Sequence, residues 1–292
     1  MRADAPSPGR ADAPSPGRAD SPRTVRAVIF DWGGTLTPWH DVDLGEQWRV
    51  FAREIHQVPG GSVGVPASDL AAAHDLAASH DLAAGHDLAA AAHELADRLL
   101  QVESAAWSQG RTIHSSAHLD HIFAEVGLDP AHDRHLRALA AYRAFWEPHT
   151  VTDPQVAPLW TALRERGIKV GVLSNTIWSG EYHREIFARD GVLDLIDGDV
   201  YSSEIPHVKP HPGAFATALA ALDAEAADAV YVGDRLFEDV QGSQRAGMRA
   251  IWIPHSDIPA EQQVPVDVTP DAIAHELLDI LDILDTWAAP HP

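Results

Sequence analysis

The sequence predicts an α/β protein built on a doubly wound parallel sheet. Short apolar runs alternate with helix-like segments after residue 150, and strands that alternate with helices are typical of parallel sheets with helical crossovers. Several of these runs end abruptly in polar, glycine-flanked turns. Apolar residues make up 45% of the 292 residues, which is easily enough to bury a core in one large or two small domains.

The first strand is predicted at residues 25–30, where the apolar run VRAVIF stops at Asp31. The other predicted strands are 168–173, a short one near 200–201, 229–232 and 250–253. The helices predicted between and after them are 158–166, 180–189, 212–222, 238–246 and 270–287. The last of these is expected to be amphipathic, with apolar side chains at Ile273, Leu277, Leu278, Leu281 and Leu284.

Residues 40–149 contain no comparable strand and are rich in Ala, Leu, His and Glu, which predicts an inserted helical region. Glycine-containing breaks are expected at 60–64, at Gly110 and at 127–130. The α/β core is therefore expected to consist of residues 25–39 and 150–292, on either side of a helical domain at 40–149.

Two repeats interrupt this pattern. Residues 1–24 repeat RADAPSPG, and such Pro-, Ser- and Ala-rich sequence predicts a disordered tail. Within the helical region AHDLAA, SHDLAA and GHDLAA follow at a six-residue period, which sends the repeated side chains around a helix in several directions. This segment is expected to be a solvated helix without a metal site, docking only from Leu88 onward through Leu95 and Leu99.

The composition excludes several classes of partner and chemistry. A net charge of −22 argues against binding to nucleic acid or to an anionic membrane surface, although a small anionic substrate could still enter a local pocket. The absence of cysteine excludes disulfides and thiolate chemistry and fits a cytoplasmic protein. Neither a secretory signal nor an apolar stretch of about 18 residues is present, so no membrane span is expected. Oligomeric state is not predicted.

The chemistry is expected where the parallel strands end, because ligands bind at the carboxyl edge of such sheets. Asp31 and Asp234 each follow a predicted strand, and Asp239 lies in the next helix. Three carboxylates at one edge would provide the hard oxygen ligands that Mg²⁺ prefers.

The same edge carries groups that suit a phosphoryl group. Ser174 can donate a hydrogen bond to a phosphoryl oxygen, and Lys209 can neutralise its charge. The backbone amides of Gly34 and Thr35 can cradle it. Asn175 either supports the phosphate or caps the next helix.

Four segments together resemble the motifs of the haloacid dehalogenase superfamily of hydrolases. They are FDWGGTLT, VGVLSNT, HVKPHPGAF and VYVGDRLFEDVQGSQRAGM, which occur in the family's order between about residues 26 and 253. The resemblance implies nucleophilic attack by Asp31 on phosphorus, with Lys209 assisting, to give an aspartyl-phosphate that water hydrolyses. It implies Mg²⁺ on Asp31, the carbonyl of Gly33 and Asp234, with Asp239 as a further acid. It also implies that the helical insert is a substrate-selecting cap and that the substrate is a small phosphorylated compound.

One position departs from the family pattern, because family phosphatases usually carry a second Asp two residues after the nucleophile, where this chain has Gly33. Such a general acid–base is worth about 10²–10⁴-fold in rate. The alternatives are a substitute acid, a bound water, a self-activating substrate or one with a good leaving group such as an acyl phosphate, or a silent fold kept for binding. The candidate substitutes are His40, Asp41, Asp43, His207 and His211.

Two other branches of the superfamily fit less well. The phosphonatase branch needs a lysine in the cap, but the only lysines are Lys169 and Lys209. The dehalogenases lack the acids of the fourth motif, which are present here as Asp234 and Asp239.

Overall fold

The computed structural model describes residues 24–38, 42–56, 77–113, 119–129, 131–254 and 263–289. The predicted tail, the break at 60–64 and the beginning of the six-residue repeat lie outside these residues. In the described part, no helix is both long and apolar enough to cross a membrane.

A six-stranded, fully parallel sheet forms the centre of the molecule, which confirms the predicted fold class. Its spatial order is β3-β2-β1-β4-β5-β6, so the chain moves outward from β1 first on one side and then on the other. The strands are β1 (Ala27–Phe30), β2 (Lys169–Ser174), β3 (Gly198–Tyr201), β4 (Ala229–Gly233), β5 (Arg249–Trp252) and β6 (Ala272–Ile273). The direction in which successive strands are added to the sheet reverses at β1. A ligand site is therefore expected at the carboxyl end of β1.

Both faces of the sheet are covered, because successive side chains of each strand point to opposite faces. In β1, Val28 and Phe30 belong to one hydrophobic cluster, whereas Ala27 and Ile29 belong to another. The helices of this part are α5 (Val156–Glu165), α6 (Gly180–Arg189), α7 (Pro212–Ala221), α8 (Gly242–Arg245) and α9 (Asp279–Ala288). Helices α5 and α9 pack on the first face and α7 on the second.

Two of the predicted helices differ from the structure. The helix predicted at 270–287 is wrong in its first half, because residues 272–273 pair with β5 as an edge strand and α9 begins only at Asp279. Ile273 is consequently 46% exposed, while Leu277 and Leu284 are buried. The helix predicted at 238–246 is instead a π-helical turn, Leu236–Gln241, followed by the short α8.

The described part of residues 42–149 is helical, with α1 (Leu44–His56), α2 (Ala77–Ile113), α3 (Leu119–Glu125) and α4 (Asp133–Trp146). The predicted break at Gly110 is wrong, because α2 continues through it; a single glycine costs a helix only about 1 kcal/mol. The predicted docking from Leu88 is also wrong, since this side chain is 38% exposed. The buried face of α2 starts at Ala92 and continues through Ala96 and Leu99.

A third hydrophobic cluster joins these helices to the sheet. Trp48, Phe123 and Tyr142 from the helices pack with Trp178 and Tyr182, which follow β2. The rings of Tyr142 and Trp178 lie 4.8 Å apart, and those of Trp178 and Tyr182 stack at 4.5 Å. The helices therefore contact the segment that directly follows the carboxyl end of β2.

Candidate functional site

The carboxyl ends of β1, β2 and β4 carry the residues that the sequence singled out. Asp31 directly follows β1, and its amide continues the sheet by donating to the carbonyl of Val232 at 2.9 Å. Ser174 is the last residue of β2, and Asp234 directly follows β4. The parallel register of these three neighbouring strands brings their ends to one edge.

Three carboxylates converge at this edge. Asp31, Asp234 and Asp239 each offer an oxygen, and these oxygens lie within 4.8 Å of one another. All three residues are buried, with exposures of 6% or less. A buried cluster of this kind needs a compensating cation, because unpaired charge is costly to remove from water.

Lys209 provides a compensating positive charge. Its Nζ lies 2.9 Å from Oδ1 of Asp31 and 2.7 Å from Oδ1 of Asp239, and it donates at 2.7 Å to the hydroxyl of Tyr231. Burial alone would lower the pKa of this lysine, but the two carboxylates outweigh it and raise the pKa. The ammonium ion therefore stays charged inside the protein.

The turn after β4 fits closely around Asp239. Burial raises the pKa of Asp239 to about 6, although the charge of Lys209 acts in the opposite direction. The amide of Arg235 donates to Oδ2 of Asp239 at 2.9 Å. A Cβ on Gly233 would come within 2.4 Å of the Asp239 carboxyl carbon, so only glycine permits this approach.

Of the two roles predicted for Asn175, helix capping is wrong, because Ser179 caps α6. The side-chain oxygen of Asn175 accepts from the amide of Lys209 at 2.8 Å, and its side-chain nitrogen donates to the Lys209 carbonyl at 3.0 Å. This pair of bonds fixes the lysine backbone to the end of β2. Contact of Asn175 with a phosphate stays a prediction.

The loop after Asp31 already uses two of the amides that the sequence assigned to phosphate. The amide of Gly34 donates to the carbonyl of Thr37 at 2.9 Å, and that of Thr35 to the carbonyl of Trp32 at 3.3 Å. Gly34 has a φ of +81°, which glycine adopts without strain. A phosphate cradle at these amides would need the loop contacts to be shared or replaced, and it stays a prediction.

Gly33, at the position of the missing acid, faces open space. A Cβ built on it would meet no atom within 4 Å, among the described residues. The backbone there therefore has room for a side chain.

The proposed substitutes for the acid have other contacts or fall outside the structure. His40 and Asp41 lie outside the described residues. Asp43 accepts from the amides of Gly45 and Glu46 at the beginning of α1, and His211 accepts from the amide of Gly213 at the beginning of α7. The ring of His207 stacks on that of His211 at 3.8 Å. Asp43 and His211 thus already serve as helix caps.

Sequence reasoning missed one member of the site, Tyr231. This residue lies inside the apolar run of β4, and the sequence pattern predicts only a buried strand there. Its signal was a single phenol hydroxyl in an otherwise aliphatic run, two residues before Gly233.

Comparisons with known proteins show which family the chain resembles. The family model "haloacid dehalogenase-like hydrolase" matches residues 25–247. A glyceraldehyde 3-phosphate phosphatase from Methanopyrus kandleri is 30% identical over 171 residues, which are 57% of this chain and 71% of that protein.

Two solved structures share the fold at 21% sequence identity and a TM-score of 0.55. One is a HAD phosphatase from Thermococcus onnurineus, with 89% of this chain and 98% of that chain covered. The other is a 2-haloacid dehalogenase from Pseudomonas syringae pv. Tomato DC3000, with 91% of this chain and 100% of that chain covered. At this identity the likeness shows the fold alone and does not separate the two activities. By its family model and its Methanopyrus relative, the chain belongs to the haloacid dehalogenase-like hydrolases.

Proposed function

We propose that this protein is a Mg²⁺-dependent phosphatase of a small organic phosphate, with Asp31 as the nucleophile. The observation that carries the proposal is the convergence of Asp31, Asp234 and Asp239, with oxygens within 4.8 Å, beside the ammonium ion of Lys209. The phosphatase name of the Methanopyrus relative supports the same class of substrate.

The donor set fits magnesium. Buried carboxylate oxygens are the ligands that this hard cation prefers, and Asp31, Asp234 and Asp239 would hold it, together with the carbonyl of Gly33. A bound Mg²⁺ would polarise the phosphoryl oxygens and reduce their repulsion from the nucleophile.

In the proposed reaction, a carboxylate oxygen of Asp31 forms a bond to phosphorus while the bond from phosphorus to the leaving oxygen breaks. Water then attacks the aspartyl-phosphate, which releases phosphate and regenerates Asp31. The positive charge of Lys209 compensates the charges of Asp31 and Asp239 throughout. Ser174 and the amides of Gly34 and Thr35 would bind the phosphoryl oxygens.

The helices of residues 40–149 would act as a cap that selects the substrate. Their cluster includes Trp178, which lies in the loop after the phosphate-binding candidate Ser174, and Tyr182, which lies in α6. A cap that closes here would exclude water from the site.

The leaving group is the specific feature of this proposal. Gly33 provides no side chain that could protonate a departing alkoxide, and Asp43 and His211 are engaged as helix caps. A leaving group of low pKa, such as the carboxylate of an acyl phosphate, leaves without a proton. We therefore expect acyl or aryl phosphates to be better substrates than alkyl phosphates.

Phosphate release from acyl, aryl and alkyl phosphates, with Mg²⁺ or with EDTA, tests the proposal. Wild type should release phosphate only with Mg²⁺ and with a preference for good leaving groups, and Asp31→Asn should abolish release. Gly33→Asp should raise alkyl phosphate turnover by about 10²–10⁴-fold, because it restores an acid where a Cβ has room. Gly33→Asn is the matched control, with the same shape and no proton to donate.

A second candidate is a binding protein with a silenced site, which the absence of a side chain at Gly33 favours. In that case wild type would release no phosphate from any compound, while Gly33→Asp would gain activity. Phosphate release by wild type in the presence of EDTA would contradict the proposed phosphatase mechanism. Phosphate release by Asp31→Asn would also contradict it.

A further inference from the structure

We propose that Tyr231 is a positioning residue for Lys209, and that its hydroxyl holds the ammonium ion against Asp31 and Asp239. The catalytic part of this inference rests on the proposed phosphatase function, whereas the positioning part rests on geometry alone. Lys209 and Tyr231 are both buried, with exposures of 3% and 1%.

The ammonium ion of Lys209 carries three protons that need acceptors inside the protein. A lysine has three N–H donors and no acceptor. Nζ of Lys209 has three protein acceptors at hydrogen-bonding distance, which are Asp31 at 2.9 Å, Asp239 at 2.7 Å and the Tyr231 hydroxyl at 2.7 Å. Each donor of the buried cation is therefore matched by one acceptor.

The Tyr231 hydroxyl also fixes where the ammonium ion lies. It accepts from Lys209 and donates its own proton to the carbonyl of Leu173 at 2.8 Å. Leu173 precedes Ser174 in β2, while Tyr231 belongs to β4, so this contact reaches two strands across the sheet. The phenol thereby connects the lysine to the carboxyl end of β2.

One consequence concerns the role of Lys209. With three donors committed to the protein, it would act on the reaction through its charge and through its contact with Asp31. A direct hydrogen bond to a phosphoryl oxygen would need one of the three contacts to be shared or broken. Loss of the Tyr231 hydroxyl would free one donor and allow the ammonium ion to move away from Asp31.

Tyr231→Phe removes the hydroxyl and keeps the ring. Phe215→Leu is the matched packing control, because Phe215 contacts the Tyr231 ring edge-to-face at 5.2 Å but leaves the hydroxyl in place. Thermal unfolding of both variants establishes that each is folded before it is compared with wild type.

The first measurement does not depend on activity. The sequence contains two lysines, so protein labelled with ¹⁵N-lysine has only two side-chain ammonium groups, with the exposed Lys169 as an internal reference. We expect proton exchange at the Lys209 ammonium to become about tenfold faster in Tyr231→Phe, since a hydrogen bond to a charged group is lost. Exchange in Phe215→Leu should match wild type. An unchanged Lys209 signal in Tyr231→Phe would overturn the inference.

The second measurement is steady-state phosphate release from the best acyl or aryl phosphate. We expect kcat of Tyr231→Phe to fall about 10- to 150-fold, which is the full contribution of one charged hydrogen bond, with KM nearly unchanged. Loss of kcat to the same extent in Phe215→Leu, or an unchanged kcat in Tyr231→Phe, would show that the positioning of Lys209 by Tyr231 does not contribute to the reaction. If wild type releases no phosphate, the proposed function fails, and the ammonium exchange alone decides whether Tyr231 positions Lys209.

Discussion

His183 is a buried base whose replacement should change the pH dependence of stability. It lies in α6 with no exposed surface, and its ring packs on Trp32 at 4.6 Å and on Tyr201 at 4.4 Å. In the described structure neither ring nitrogen has a hydrogen-bond partner. Burial, together with the positive charge of Arg184, lowers the pKa of His183 to about 3.

The size of the stability loss follows from the difference between the pKa of His183 in the folded protein and in the unfolded chain. The unfolded chain binds a proton at His183 as the pH falls through about 6.5, whereas the folded protein does so only near 3. The stability associated with the neutral ring is therefore present above pH 6.5 and is lost progressively as the pH falls toward 3. At pH 5 the loss amounts to about 2 kcal/mol for this one group.

His183→Phe keeps an aromatic ring between Trp32 and Tyr201 and removes the titrating group. Urea unfolding at pH 7.5 and pH 5.0 should show that wild type loses about 2 kcal/mol more than His183→Phe between these conditions. His183→Leu is a second variant without the titrating ring, and its pH dependence should match that of His183→Phe. Equal losses in wild type and His183→Phe would refute the reasoning.

Two further substitutions test packing at the site and in the helices. Gly233→Ala should reduce kcat for phosphate release by at least about tenfold, because its Cβ must displace Asp239. Gly33→Ala is the control, and thermal unfolding should show that it folds normally, since its Cβ meets no atom within 4 Å. A fully active Gly233→Ala would contradict the close approach of Gly233 and Asp239. Glu103→Leu should lower the free energy of unfolding in urea by about 3 kcal/mol, because the buried carboxylate accepts a hydrogen bond from Trp48 at 2.7 Å. Glu103→Gln should lower it by less, because the amide oxygen can still accept that bond. Equal losses in the two variants would exclude the hydrogen bond as the cause.

The sheet and most of the candidate site could be predicted from sequence because their signals are local. A buried parallel strand is a short apolar run, and the functional side chains stand directly after such runs, as Asp31 and Asp234 do. Parallel pairing then brings these positions to one edge without any knowledge of the packing. Asp31 and Asp234 are expected together for this reason, Asp239 is expected in the helix that follows and Lys209 in a loop at the same edge, and the structure has all four in one cluster.

The errors arose where a distant contact decides the outcome. Residues 272–273 have a helix-compatible pattern, but pairing with β5 makes them an edge strand. Gly110 is a local helix breaker, yet α2 passes through it. Leu88 was expected to dock, but small residues at Ala92 and Ala96 form the buried face instead.

The contacts that Tyr231 and Asn175 make with Lys209 could not be predicted from sequence, for a related reason. Nothing near Tyr231 in the sequence indicates that its hydroxyl meets Lys209 and Leu173, which are 22 and 58 residues away. The two bonds between Asn175 and the Lys209 backbone likewise join segments 34 residues apart. Such partners are determined by the sheet order and by side-chain packing across it.

The most direct test of the central claim is to trap the covalent intermediate. Protein mixed with its best acyl or aryl phosphate and Mg²⁺ is quenched and treated with borohydride, which reduces an aspartyl-phosphate to homoserine, and the peptide that contains residue 31 is sequenced by mass spectrometry. The proposed mechanism predicts homoserine at position 31, dependent on both substrate and Mg²⁺, and none in Asp31→Asn. Phosphate release without reduction at Asp31, or reduction at a different carboxylate, would contradict it.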